Sequence, residues 1–109
     1  MKPVDARAVA LYPGPVHFEF SGDIWYWRGP SPFHFVTVPP DASETIKDIS
    51  TAVTYGWGMI PVTVRLGGSE WTTSLWPKDG GYIVPIKKRV QLEEGLEIGD
   101  VVELDLTVG

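Results

Sequence analysis

From Val16 onward the chain alternates between apolar and polar residues. Val16, Phe18 and Phe20 fall on one side of an extended segment and His17 and Glu19 on the other, a period of two that predicts a strand. Ser21-Gly22-Asp23 reads as a turn, and Ile24 to Arg28 as a second strand. Gly29-Pro30-Ser31-Pro32 predicts a connection, because proline fixes φ and donates nothing to a ladder. Phe33 to Val38 is rich in residues that suit a pleated surface and predicts a third strand.

The period then changes. Ala42, Ile46, Ile49 and Val53 recur at helical spacing, behind Asp41 and Glu44 in capping-box positions, with Gly56 or Gly58 as the stop. Met59 to Leu66 and Glu70 to Trp76 predict a hairpin about Gly67-Gly68, and Pro77 to Gly81 a further turn. Tyr82 to Pro85 reads as a short strand, Ile86 to Glu94 as a helical turn or two stopped by Gly95, and Val101 to Val108 as the last strand. This order predicts a mainly β chain with two short helices, a small barrel capped by helices. Residues 1–14 show no clean period and read as a flexible arm before a single domain over 15–109.

Composition adds limits. A chain of 109 residues holds one core. Five Trp, four Tyr and four Phe exceed what such a core needs, so rings either build the interior or line a site. With no cysteine, thiolate metal sites, disulfides and cysteine nucleophiles are excluded. A net charge of -5 argues against nucleic acid, whose phosphates are bound mainly by Lys and Arg. The absence of a signal-type apolar segment and of a membrane-length apolar run leads to the expectation of a cytoplasmic protein with no membrane partner.

Four features invite a chemical reading. Trp25 and Trp27 share one face of their strand, and Ile24, Tyr26 and Arg28 the other. The simplest expectation is that the tryptophan face fills the barrel; the functional alternative is a pocket rim where Arg28 meets rings from Tyr55 and Trp57. Lys87-Lys88-Arg89 opens a helix that closes on Glu93-Glu94, the reverse of what the helix dipole favours, which suits either an anion site or a solvated turn. Trp71-Thr72-Thr73-Ser74 places three hydroxyls on a strand, but no base accompanies Ser74 and strand propensity accounts for the threonines. Two histidines without cysteines suggest no metal, and the late carboxylates, Glu103 and Asp105 among them, read as a solvated face.

Several of these segments occur together elsewhere. Ile24-Trp25-Tyr26-Trp27-Arg28-Gly29-Pro30, Phe35-Val36-Thr37-Val38-Pro39, Tyr55-Gly56-Trp57-Gly58-Met59-Ile60-Pro61-Val62, Glu70-Trp71-Thr72-Thr73-Ser74-Leu75, Pro77-Lys78-Asp79-Gly80 and Val84-Pro85-Ile86-Lys87 resemble, in this order, the bacterial domain-of-unknown-function 1905 family. The likeness spans roughly residues 16 to 108. It implies a double-split β-barrel akin to the domains of AbrB-type transcription factors and MazE-type antitoxins, with the local likeness in Ile86 to Leu104, and it implies no activity.

The leading expectation is therefore a barrel that binds a small anionic or aromatic ligand in a cleft lined by Trp25, Trp27, Arg28, Tyr55, Trp57, Trp71 and Lys87. The alternative is an interaction or assembly module, as a homodimer. An enzyme ranks last, with no catalytic residue assigned, because no nucleophile–base pair is recognisable; no cofactor is implied.

Overall fold

The computed structural model describes residues 15–28, 33–53 and 59–108. The arm over 1–14, the Gly29–Pro32 connection, the side chain of Val53 and the helix stop at Gly56 or Gly58 lie outside the described residues. Among those described are β1 (Val16–Trp27), β2 (Phe33–Thr37), α1 (Pro40–Val53), β3 (Ile60–Leu66), β4 (Ser69–Lys78), β5 (Gly81–Ile86), α2 (Lys88–Glu94) and β6 (Val101–Val108). The strands close an antiparallel barrel in the order β1-β2-β5-β4-β3-β6.

The expected turn at Ser21-Gly22-Asp23 is not a turn. β1 runs straight through it and changes partner instead: residues 16 to 23 pair with β6, and 24 to 27 with β2. At the changeover Ile24 is held by the α2–β6 loop, its N–H donating to Asp100 O at 2.9 Å and its carbonyl accepting from Gly99 N at 2.8 Å. β4 does the same, pairing with β3 up to Leu75 and with β5 from Trp76 to Lys78. Two strands shared between half-sheets are what makes the barrel doubly split.

Gly22 stands on the inward side of the β1 changeover, where a Cβ would lie 2.7 Å from Val36 Cγ1. We expect Gly22→Ala to overpack this corner and lower stability by about 1–3 kcal/mol, read as a shift in the urea midpoint. An unchanged midpoint would show that the corner yields freely.

Inside the barrel the alternation is regular. Ile24, Val36 and Val84 align across β1, β2 and β5, and Val62, Val64 and Leu106 across β3 and β6, all buried. Trp71 joins them at 4% exposure, opposite Val64. Its indole Nε1 donates to Pro85 O at 3.3 Å, beyond the point where β4 leaves β5.

The two helices close opposite ends. α1 follows the Thr37 end of β2, with Ile46 fully buried and Ala42 and Ile49 half-buried against the core. It begins two residues earlier than the capping box predicts: Pro39 O accepts the first helical bond from Ser43 N at 2.8 Å, and Pro40 takes the first helical position. Asp41 Oδ1 instead accepts from Ala42 N at 2.9 Å.

α2 follows the other end of β5, buries Val90 and ends at Gly95, φ 64°, with Leu96 N donating back to Gln91 O at 2.9 Å. It is fixed to the β3–β4 hairpin by its acids. Ser69 Oγ lies 2.7 Å from Glu94 Oε2 and 2.9 Å from Glu93 Oε1, and Gly68 N donates to Glu94 Oε2 at 3.2 Å. The β4–β5 hairpin turns later than expected, at Asp79 (φ 51°) and Gly80 (φ 81°), the left-handed pair of a type I′ turn.

Candidate functional site

The inward alignment of Ile24 with Val36 and Val84 decides which face of β1 is interior, and it is not the tryptophan face. Trp25 and Trp27 point away from the barrel, so the expectation that they fill it is corrected: the aliphatic side chains of three adjacent strands already occupy that space. Their register partners Phe35 and Phe33 point the same way. Ile83, opposite Thr37, and Trp76, opposite Ile83, continue this outer face across β5 onto the end of β4.

The rings interlock there. Phe35 lies 5.2 Å from the Trp25 ring, 5.1 Å from Trp76 and 6.0 Å from Phe33, and Phe33 lies 5.7 Å from Trp76 edge-on. These are ordinary tilted and edge-to-face separations. Trp25 is further fixed by its Nε1–H, which donates to Thr37 Oγ1 at 2.9 Å. Phe35 at 0% exposure and Ile83 at 3% are thus buried on the outside of the barrel, without belonging to the interior cluster.

Above this bed two rings stay open to solvent, Trp27 at 40% and Phe33 at 39% exposure, as direct cross-strand partners. The Lys78 ammonium stands 5.6 Å from the Trp27 ring centroid, within cation–π range, and also 3.1 Å from Asp79 Oδ2. Arg28, the next residue after Trp27, is exposed. Tyr26, at 37% exposure, points to the inner side at the barrel mouth and meets His34 edge-on at 5.1 Å.

The seven residues expected to line one cleft are therefore distributed. Trp25, Trp27 and Arg28 lie on or beside the outer aromatic face. Trp71 is in the interior, with its polar atom already bonded. Tyr55 and Trp57 lie outside the described residues. Lys87 is exposed and caps α2 through its backbone, φ −64° and ψ 146°, with no side-chain cap bond. Of its basic neighbours, Arg89 donates to Glu93 Oε1 at 3.0 Å and Glu70 O at 3.1 Å, so the inverted charge order of α2 is partly absorbed by local pairing.

Phe33, Trp76 and Lys78 were not anticipated as members of this face. Phe33 shares the parity of Phe35, and that signal is in the sequence. Trp76 and Lys78 needed the late position of the hairpin, which carries β4 two residues beyond Trp76.

A groove of about 490 Å³ runs beside Lys78, between the first turn of α1 and the β4–β5 hairpin, lined in part by Pro39, Pro40, Ser43 and Tyr82. Among the described residues no helix is long and apolar enough to cross a membrane.

Compared with known proteins, residues 20–106 match the family model described as Domain of unknown function (DUF1905). No curated protein matches the chain.

Proposed function

The chain belongs to the DUF1905 family, and we propose that in this member the barrel is a rigid support for a binding surface on its outer face, which takes a flat ligand carrying an anionic group. The observation that carries this reading is the Trp27–Phe33 pair, two open rings presented side by side by an antiparallel ladder, with Lys78 over one of them. Phe35, Trp25 and Trp76 beneath are packed on each other, so the open rings are held by neighbours that have little freedom left to lose. A ring stacked on Trp27 or Phe33 leaves its carboxylate or phosphate within reach of Lys78.

The test uses 2-naphthoate and its uncharged analogue 2-naphthylmethanol as probes, followed by calorimetry and by the indole N–H resonances. We expect the carboxylate to bind more tightly and to move the Trp27 signal. Trp27→Ala should weaken binding at least tenfold while leaving stability within about 1 kcal/mol, because its ring is partly solvated already. Equal binding of both probes, or shifts confined to other tryptophans, would overturn the reading.

An assembly role is the second reading, favoured by a separate observation. Leu92, Ile98 and Val101 are 74%, 58% and 73% exposed within a short segment at the α2 end of the barrel. A second copy covering them would appear in light scattering as a mass that doubles with concentration; a constant monomer mass would remove this reading.

A further inference from the structure

On the opposite half-sheet, away from the aromatic face, His17 and Glu19 point outward from β1 two residues apart. Asp105 on β6 is the register partner of Glu19. Two carboxylates directly opposed across a ladder repel each other. Arg65, the partner of Asp105 on β3, has its Nε 3.8 Å from Glu70 Oε1. The nearer positive candidate is the His17 ring, whose Nε2 lies 3.5 Å from Glu19 Oε2 and 3.6 Å from Asp105 Oδ1.

Those separations are long for a charge-assisted hydrogen bond, which closes to about 2.7–2.9 Å. They match another arrangement. Ligand atoms about 2.1 Å from a tetrahedral Zn²⁺ stand about 3.4 Å from one another. Two edges of such a face are present, at 3.5 and 3.6 Å from the nitrogen, and all three ligand atoms lie within 4.8 Å of one another, so a small side-chain adjustment closes the third. His17 Nδ1 lies 3.3 Å from Thr107 Oγ1, so a proton held on Nδ1 and donated to that hydroxyl leaves the Nε2 lone pair directed at the carboxylates. A tie on the second ring nitrogen is the usual support of a ligating histidine.

We propose that His17, Glu19 and Asp105 form a three-ligand site for a divalent transition ion, Zn²⁺ in the first place, with its remaining position open to water. The set is neutral as a whole, two carboxylate charges against two on the ion. The expectation of no metal rested on the scarcity of histidine and cysteine, and this site needs one histidine because the ladder supplies the other two ligands. A depression of about 500 Å³ begins at the same Glu19 and Asp105 and extends past Ser21, Glu103 and Arg65, so the two carboxylates border open space. The site shares no residue with the proposed aromatic surface and stands or falls independently of it.

The experiment titrates ZnCl₂ into tag-free, EDTA-stripped protein by calorimetry and follows the two histidine rings by NMR. His34 is the internal control. The result expected is one saturable equivalent per chain, with the His17 ring signals moving and those of His34 unchanged. His17→Gln and Asp105→Asn should each weaken binding at least tenfold, and Glu103→Gln, beside the cluster, by less than twofold. The side chains of His17, Glu19 and Asp105 are 52%, 75% and 37% exposed, so the metal-free variants should keep the parent's thermal midpoint, and that measurement verifies their fold. Absence of saturation means that the three side chains form a polar contact only and overturns the proposal. So does Zn²⁺ binding that leaves the His17 signals in place, or that survives His17→Gln undiminished.

Discussion

Trp71→Ala should cost about 3–5 kcal/mol of folding stability, a large share of the roughly 5–15 kcal/mol that holds a domain folded. Two losses combine. The indole is 4% exposed and fills the interior at the place where β4 parts from β5. Its Nε1–H also donates to Pro85 O, which lies beyond Ile83, where the β4–β5 pairing ends. Trp71→Phe separates the two, keeping most of the packing and dropping the bond, and should cost about 1–3 kcal/mol. Urea unfolding of the three proteins measures both. If the alanine variant unfolded at the parent's midpoint, the indole would not be the filler of the split.

Phe35→Ala should be nearly as damaging, about 3 kcal/mol or more, although Phe35 points away from the barrel interior. Its ring is the centre of the outer cluster, touching Trp25, Phe33 and Trp76 at 5–6 Å (5.2, 6.0 and 5.1 Å between centroids), and it has no exposed surface. Removing it undermines the bed under Trp27 as well. The same substitution should therefore weaken binding of a flat anionic probe, whereas Trp27→Ala should affect binding with little effect on folding. A Phe35→Ala protein with parental stability would mean that the outer rings are independent decorations rather than a second packed layer.

Much of the architecture was legible. Strict alternation in Val101 to Val108, and in Ile60 to Leu66 facing Ser69 to Leu75, fixes both the strands and their inner faces, and Trp71 could have been placed inside from its parity with Leu75. The polar run Ser21-Gly22-Asp23 misled because a strand that changes partner stays extended while its composition looks like a turn. Pro77 misled in a related way. β4 has left β3 by that point and pairs with β5 alone, so a missing N–H is tolerated within a strand.

The site was less legible for a physical reason. β1 carries bulky apolar residues on both faces, Ile24 with Tyr26 and Trp25 with Trp27, so hydrophobicity does not say which face is interior. That decision belongs to Val36 and Val84, on other strands. The His17–Glu19 spacing can be read directly, but Asp105 joins it only through the β1–β6 register, across most of the chain's length.

That register has a consequence for how the chain is made. β1 is the first strand described and β6 the last, and eight consecutive residue pairs, Val16↔Val108 through Asp23↔Val101, join them. During synthesis from the N-terminus, the first half of β1 leaves the ribosome early and waits for a partner until residue 108 has followed it. Its far half, 24 to 27, can already form a hairpin with β2. The nascent barrel thus exposes an unpaired edge bearing Val16, Phe18 and Phe20 until its last strand emerges, and ring closure is the final step of the barrel's own assembly. Delay at that stage, by slow translation of the last strand or its truncation, is the condition under which this barrel would pair with a neighbouring copy instead of with itself.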